Sequence, residues 1–213
     1  MLFTLLRDSV SWYHERYEYM KKILSIVGAR PQFIKHAPMQ LELQKQFAAL
    51  TIHTGQHYDE NMSAVFFNEL NMPAPDYLFD IGGSKPQGEQ TGMMMKEIEA
   101  VCNKELPDAL LVYGDTNSTL AGALVAAKMH IPQIHIEAGL RSFNRNMPEE
   151  INRIVADEFA YLLFCPTDQS IENLKKEGIK HQRIFRCGDV MCDMVKLMEP
   201  KTKKPVEYPY YFV

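Results

Sequence analysis

The sequence predicts an α/β protein whose parallel β-sheet is covered by helices on both faces, a doubly wound fold. Two observations lead to this prediction. Short apolar runs of strand length alternate with longer stretches of helical periodicity along most of the chain, and such alternation is typical of a parallel sheet. In addition, polar segments that contain glycine directly follow four of the predicted strands, which is where ligands bind in open parallel sheets.

The elements of the first half follow from the spacing of apolar residues. The run Ile23-Leu24-Ser25-Ile26-Val27-Gly28 is typical of a strand buried on both faces. Further along, we expect Met93 and Met94 to lie on the same side of a helix as Ile98 and Val101. In chain order we predict a strand at 23–28, a helix at 33–47, a strand at 50–55, a helix at 60–70, an extended stretch at 73–83 and a helix at 90–102.

The second half continues the same alternation. Ala109-Leu110-Leu111-Val112-Tyr113-Gly114 has the composition of a central strand, and an alanine-rich helix suited to packing on a sheet follows it. The predicted strands lie at 109–114, 133–136, 161–165 and 183–186, and the predicted helices at 119–129, 149–159, 170–177 and 193–198.

The chain divides into three predicted segments. We interpret residues 1–19 as an N-terminal extension, because they precede the second methionine, Met20, and carry no evident chemistry. Residues 20–193 contain the alternating elements and are predicted to form one N-terminal domain. Residues 194–213 combine three prolines with lysines and end in an apolar run, so we expect a linker and the first strand of a C-terminal domain.

The composition excludes several classes of protein. Hydrophobic residues make up 46% and charged residues 23% of the 213, and the net charge is −4, which argues against a surface that binds nucleic acid. No apolar run approaches the roughly 20 residues that span a bilayer, so we expect no membrane partner. The four cysteines form no CxxC pair, and we expect reduced thiols in a cytoplasmic protein.

Four loops that follow predicted strands should meet at one edge of the sheet, because the carboxyl ends of parallel strands lie together. This edge is therefore the expected ligand site. The loops are Gly28-Ala29-Arg30-Pro31, Thr54-Gly55-Gln56-His57, Gly114-Asp115-Thr116-Asn117 and Glu137-Ala138-Gly139-Leu140-Arg141.

The cations and carboxylates of this edge each allow two interpretations. Arg30 and Lys35 flank the start of a helix, where a bound phosphate or carboxylate would offset the positive helix dipole; alternatively, both point into water. Asp115 is either a helix cap or a functional carboxylate, and Glu137 is either an ordinary strand-end glutamate or a functional one. Its neighbour His135 is better explained as a packed, hydrogen-bonded residue than as a catalyst.

Glu149 begins a helix directly after Pro148, which is ordinary chemistry for a helix start. It could also form an ion pair with Arg153 one turn later. Several carboxylates facing cations nevertheless suit proton transfer beside a phosphate. The chain contains no GxxxxGK[ST], no GxGxxG after the first strand and no metal-ligand spacing of histidine and cysteine, so we expect neither a metal nor a redox cofactor.

Five motifs, in this order, together resemble the non-hydrolysing UDP-N-acetylglucosamine 2-epimerase family, from about Lys21 to Asp193. The resemblance implies a Rossmann-like domain that forms one half of a two-domain, glycosyltransferase-B-like fold, with the active site between the halves. It also implies an isomerase that binds a UDP-sugar and forms homodimers. The motifs are Gly28-Ala29-Arg30-Pro31-Gln32-Phe33-Ile34-Lys35, Thr54-Gly55-Gln56-His57, Gly114-Asp115-Thr116, Ile136-Glu137-Ala138-Gly139-Leu140-Arg141 and Pro148-Glu149-Glu150-Ile151-Asn152-Arg153.

The reaction that the resemblance implies needs no redox cofactor. A base removes the proton at C2 of the sugar while UDP leaves C1, and the resulting 2-acetamidoglucal is attacked by UDP and reprotonated on the other face. Such epimerases supply precursors of cell-surface polysaccharides. By the match of motifs, Asp115, Glu137 and Glu149 are the catalytic acids and bases, with their individual roles left open, and the substrate-binding residues are Arg30, Lys35, Gln56, His57, Arg141 and Arg153.

Other interpretations remain open at this point. The family's catalytic histidine and most of its UDP contacts lie in the second domain, so we expect the 213 residues alone to be inactive. The motif around Arg30 and the segment before Arg153 favour the branch that acts on UDP-2,3-diacetamido-glucuronate. Alternatives are a non-catalytic sugar-nucleotide-binding fragment and a glycosyltransferase of the same fold.

Overall fold

The computed structural model describes residues 20–56, 70 and 72–201. Within these residues, seven parallel strands form one sheet in the order β3-β2-β1-β4-β5-β6-β7. The doubly wound sheet predicted from the sequence is thus confirmed. The strands are β1 (Lys22–Val27), β2 (Ala48–His53), β3 (Tyr77–Leu78), β4 (Ala109–Tyr113), β5 (Gln133–Ile136), β6 (Leu162–Cys165) and β7 (Ile184–Arg186).

Helices connect these strands and cover both faces of the sheet. None of those in the described part of the chain is both long and apolar enough to cross a membrane. The α-helices are α1 (Arg30–Leu43), α2 (Gln87–Glu105), α3 (Asn117–Lys128), α4 (Pro148–Phe159), α5 (Asp168–Lys176) and α6 (Val190–Met198), and short 3-10 turns lie at His181–Arg183 and Glu199–Lys201.

The core lies on both faces of the sheet, as expected for strands that alternate between two covering layers. On one face, Ile23 and Leu111 pack with Phe33 of α1. On the other face, Leu24 and Leu110 pack with helices α2 and α3. The strand order reverses between β1 and β4, so the loops that follow these two strands flank the switch point where open α/β sheets bind ligands.

Most predicted boundaries shift by a few residues for identifiable reasons. Helix α1 begins at Arg30 instead of residue 33, because a proline in its first turn is compatible with helix initiation. Helix α6 begins at Val190 instead of residue 193, because the Asp189 side chain caps it by accepting from the Met191 amide. The predicted helix side in α2 was wrong for Met93, which is 37% exposed although Met94 is fully buried.

Some predictions concern residues that the structure does not describe. The interpretation of residues 1–19, nearly all of the helix predicted at 60–70, and most of the segment 194–213 lie outside the described residues. Helix α6 continues past residue 193, and its Met194 packs with Ala37 and Leu70. The division of the chain into three segments remains a prediction.

Candidate active site

A buried glutamine ties the loop after β1 to the end of β4. Gln32, 2% exposed, accepts hydrogen bonds from the Gly28 and Ala29 amides at 2.8 and 3.2 Å. Its side-chain nitrogen donates to the Tyr113 carbonyl at 2.9 Å and to Thr119 Oγ1 at 3.0 Å. The start of α1, which carries Arg30 and Lys35, is therefore held at the switch point of the sheet.

Gln56 joins the loop after β2 to the start of α3. Its carboxamide oxygen accepts from the Ser118 amide at 3.0 Å and from Ser118 Oγ at 2.7 Å, and Thr54 Oγ1 lies 2.8 Å from the same hydroxyl. Gln56 is thus at the predicted edge, but its side-chain oxygen is already occupied by hydrogen bonds within the protein. The neighbouring candidate His57 lies outside the described residues.

Lys35 and Glu137 form an ion pair at the centre of the edge, between Lys35 Nζ and Glu137 Oε2, with side chains 12% and 21% exposed. Glu137 adopts a left-handed backbone with φ of +70° directly after β5, and Gly114 does so with φ of +59° after β4. A Cβ on Gly114 would lie 3.3 Å from Glu137 Oε2. The glycine therefore gives this carboxylate room beside the β4 loop.

A second ion pair joins Asp115 to Arg153 of α4. Arg153 Nη2 donates to Asp115 Oδ2 at 2.5 Å, while Nη1 donates to Glu150 Oε2 at 2.8 Å. Asn152 fixes the same loop by donating to the Asp115 carbonyl at 2.8 Å. Asp115 does not cap α3, because the cap is Thr116, whose side chain accepts from the Thr119 amide. The Asp115 carboxylate is thus left for the edge of the sheet.

Glu149 and Glu150 differ sharply although they are adjacent. Glu149 is exposed, and the described residues make no hydrogen bond or ion pair with its side chain, whereas Glu150 is 1% exposed and binds Arg153. The ion pair considered between Glu149 and Arg153 is therefore replaced by one with Glu150. Sequence reasoning selected Glu149 as a candidate and missed the buried role of its neighbour.

Arg141 lies in a buried charge network behind the edge. Its guanidinium donates to Asp157 at 2.7 Å and to Glu177 at 2.6 and 2.7 Å, and its side chain is 1% exposed. Burial alone would lower the pKa of Arg141, but the hydrogen bonds that it donates to Glu177 and the charge of Asp157 raise it. A role in binding substrate would require Arg141 to leave these partners, and that role remains a prediction.

His135 belongs to the same network, as expected of a packed, hydrogen-bonded residue. Its Nδ1 lies 2.7 Å from Asp157 Oδ1, and its Nε2 lies 2.8 Å from the Gly114 carbonyl. Asp157 also accepts from the Gly139 amide at 3.1 Å. One buried cluster thus holds the loops after β4 and β5, which carry Asp115 and Glu137.

Arg30 completes the candidate residues as the exposed first residue of α1. The edge therefore combines two carboxylate–cation pairs, Asp115 with Arg153 and Glu137 with Lys35. Carboxylates held beside cations can exchange protons with a substrate while the cations stabilise a developing anion.

The family of the chain is shown by comparison with known proteins. Residues 39–210, more than half of the chain, match the family model described as UDP-N-acetylglucosamine 2-epimerase. The chain belongs to this family. The resemblance carried by the five sequence motifs is therefore confirmed.

Two curated relatives with different names are about equally similar to this chain. The UDP-2,3-diacetamido-2,3-dideoxy-D-glucuronate 2-epimerase of Pseudomonas aeruginosa is 52% identical over 189 residues, which cover 87% of this chain and 53% of the relative. The UDP-N-acetylglucosamine 2-epimerase of Methanocaldococcus jannaschii is 51% identical over 173 residues, with 81% and 47% covered. The chain spans about half the length of these relatives.

Solved structures of relatives agree with the fold. The crystal structure of the Methanocaldococcus jannaschii enzyme in complex with UDP-GlcNAc and UDP is 48% identical, with a TM-score of 0.76 over 84% of this chain and 50% of that one. The Neisseria meningitidis UDP-GlcNAc 2-epimerase bound to UDP-GlcNAc is 34% identical, with a TM-score of 0.80 over 84% and 49%. The Rossmann-like sheet described above is thus one half of the fold seen in these enzymes.

Proposed function

We propose that this chain forms the acid–base half of a non-hydrolysing UDP-amino-sugar 2-epimerase. The observation that supports this most directly is the pairing of Asp115 with Arg153 and of Glu137 with Lys35 at the ligand edge of the sheet, in a chain of this family. One carboxylate removes the proton at C2 and another group returns a proton to the opposite face. The cations stabilise the diphosphate that leaves C1 and adds back.

Asp115 and Glu137 are the proposed acid–base residues, and Glu149 is a third candidate. Glu149 lies in the first turn of α4, next to the residue that binds Arg153. Its exposure leaves the carboxylate open to a substrate or to another part of the protein. Arg30, Lys35 and Arg153 are the proposed cations for the diphosphate, and Gln56, His57 and Arg141 stay predicted substrate-binding residues.

The substrate is proposed to be UDP-N-acetylglucosamine or UDP-2,3-diacetamido-glucuronate. Relatives of both names match this chain at 51% and 52% identity, so overall similarity does not separate the two sugars. The first would make the protein a source of UDP-N-acetylmannosamine, and either product would serve cell-surface polysaccharide synthesis. Comparing kcat/KM for the two sugars with the full gene product decides between them.

Proton NMR in heavy water tests the reaction itself. Elimination and re-addition should place solvent deuterium at C2 of both epimers, with no net hydrolysis of the sugar nucleotide. Transfer or hydrolysis of the sugar without deuterium at C2 would instead indicate a glycosyltransferase of the same fold. Binding of the UDP-sugar with neither outcome would indicate a non-catalytic module.

We also propose a cytoplasmic homodimer. None of the four cysteines is in a disulfide, which fits a reducing compartment. Helix α4 exposes Ile151 and Phe159, 40% and 48% exposed, with Val155 between them at helical spacing, and a second copy would cover this apolar stripe. Sedimentation of the native protein and of Phe159→Glu tests this; two monomeric samples would contradict the dimer.

A further inference from the structure

We propose that Glu150 is a positioning residue for the epimerisation site: its buried carboxylate holds Arg153 against Asp115 and ties down the loop that follows β5. This inference rests on the proposed function for its effect on turnover. The contact on which it depends, between Glu150 and Arg153, is visible without reference to any activity.

The Glu150 carboxylate is buried and has several donors. Oε1 accepts from the Phe143 amide at 2.9 Å, and Oε2 accepts from the Ser142 amide at 2.9 Å, from Ser142 Oγ at 3.1 Å and from Arg153 Nη1 at 2.8 Å. A buried carboxylate is unfavourable unless it is paired and hydrogen-bonded. The donors around Glu150 are therefore arranged to stabilise a buried, negatively charged carboxylate.

The ionised form of Glu150 is the one that these donors favour. Burial alone would raise the pKa of Glu150, but the hydrogen bonds from the Ser142 and Phe143 amides and from Arg153 outweigh it and hold the pKa below its usual value. The carboxylate is thus a permanent anchor at neutral pH.

Arg153 links Glu150 to the proposed catalytic carboxylate of Asp115. Its planar guanidinium uses Nη1 for Glu150 and Nη2 for Asp115, which fixes the direction of both contacts. Without Glu150 the guanidinium would keep a single carboxylate partner and could rotate about its stem. Asp115 would then lose the orientation that proton transfer requires.

The same carboxylate holds the loop between β5 and α4. The two amides that Glu150 binds belong to consecutive residues, and the second of them, Phe143, adopts a left-handed backbone with φ of +58°. This backbone is unfavourable for a residue with a side chain, so the loop needs an anchor to retain it. Glu137 lies at the other end of this loop, which makes Glu150 a link between both proposed acid–base residues.

Kinetics of Glu150→Gln in the full gene product test the proposal. We expect kcat to fall about 10- to 100-fold, because the glutamine amide cannot accept hydrogen bonds from every donor, so Arg153 is misplaced. KM should change less than about threefold. Glu158→Gln, an exposed glutamate on the same helix, should leave kcat unchanged. A Glu150→Gln enzyme with kcat within about threefold of the native value overturns the proposal.

A double variant separates positioning from general damage to the fold. If Glu150 acts through Arg153, adding Glu150→Gln to the Arg153→Met variant should have little further effect. The kcat of the double variant should then lie within about threefold of that of Arg153→Met alone. Additive losses in the double variant would mean that Glu150 only supports the structure, and would refute the proposal. If Glu150→Gln does not fold, Glu150→Asp, which keeps the charge on a shorter side chain, is judged by the same criteria.

A crystal structure of the Glu150→Gln protein gives a readout that is independent of turnover. We expect the Arg153–Asp115 contact, 2.5 Å in the native protein, to open beyond about 4 Å, the limit of an ion pair. An unchanged contact would refute the positioning role even if kcat falls in this variant. Failure of the native protein to epimerise either sugar would instead overturn the proposed function, and the structure would still decide the role of Glu150.

Discussion

Replacement of Asp115 by asparagine should remove most of the turnover and very little of the stability. The side chain is nearly isosteric, so the change removes the ionisable group and leaves the shape of the loop. A group that transfers a proton in the transition state contributes about 10²- to 10⁴-fold to the rate, which corresponds to about 3–5 kcal/mol of activation free energy. We expect kcat to fall by this factor.

The expected loss of stability is much smaller because Arg153 keeps its other partner. Asp115 and Arg153 are 31% and 17% exposed, and partly exposed ion pairs contribute about 0.2–1 kcal/mol to the free energy of unfolding. Glu150 still holds the guanidinium at 2.8 Å, and Asn152 still donates to the backbone carbonyl of residue 115. The free energy of unfolding should therefore fall by at most about 1 kcal/mol.

A matched control lies at the opposite end of the same strand. Asp108 precedes β4 and pairs with Lys21 at 2.7 Å, with 36% of its side chain exposed, so it resembles Asp115 in exposure and pairing but lies away from the ligand edge. Deuterium incorporation at C2 and urea unfolding should be measured for Asp115→Asn and Asp108→Asn. Only the first should lose turnover.

Two results would refute this reasoning. If Asp115→Asn and Asp108→Asn both retain nearly native rates, Asp115 has no part in proton transfer. If Asp115→Asn loses more than about 2 kcal/mol of stability, the carboxylate is chiefly structural, because the loss exceeds that of a partly exposed pair.

Three further predictions concern other groups. In urea unfolding, Glu137→Gly should be more stable than Glu137→Ala by about 1 kcal/mol. Both variants lose the carboxylate, but only alanine keeps the strain of the left-handed backbone. Equal stabilities would contradict the left-handed conformation of residue 137. Burial lowers the pKa of His36 from 6.5 to about 3, so its neutral form favours folding, and stability is lost as the pH falls below 6.5. The loss from His36 between pH 6.5 and 5 should be about 2 kcal/mol, and His36→Gln should reduce the measured loss by that amount. Turnover should survive EDTA, because elimination between carboxylates needs no metal; inhibition that a divalent ion reverses would contradict this.

The strand ends and the loops that follow them were predictable from the sequence. Each strand is a short apolar run, and the rule that parallel strands end at one edge places Asp115 and Glu137 together without any knowledge of side-chain contacts. The pairing of Lys35 with Glu137, which lie 102 residues apart, was not predictable from local spacing. It depends on the path of α1 across the switch point.

Helix α4 shows why Glu150 was missed. Its apolar residues Ile151 and Phe159 face outward, whereas Glu150 and Asp157 are each 1% exposed. Hydrophobic periodicity assumes that the apolar side of a helix is the buried one. In α4 this assumption selects the wrong side, because the polar residues on its buried side form hydrogen bonds and ion pairs with partners in the protein.

The charges of the edge suggest how a diphosphate could be held. In the structure, the two cations Lys35 and Arg153 pair with three carboxylates, those of Asp115, Glu137 and Glu150. These five side chains together therefore carry an excess of negative charge. A phosphate can bind Lys35 only if the ammonium turns from Glu137 or is shared with it. Neutralisation of Glu137 by the C2 proton would weaken that pair at the step in which UDP departs as an anion. If Glu137 is the base, proton removal thus releases Lys35 toward the leaving group, and the two halves of the elimination are coupled through one ion pair.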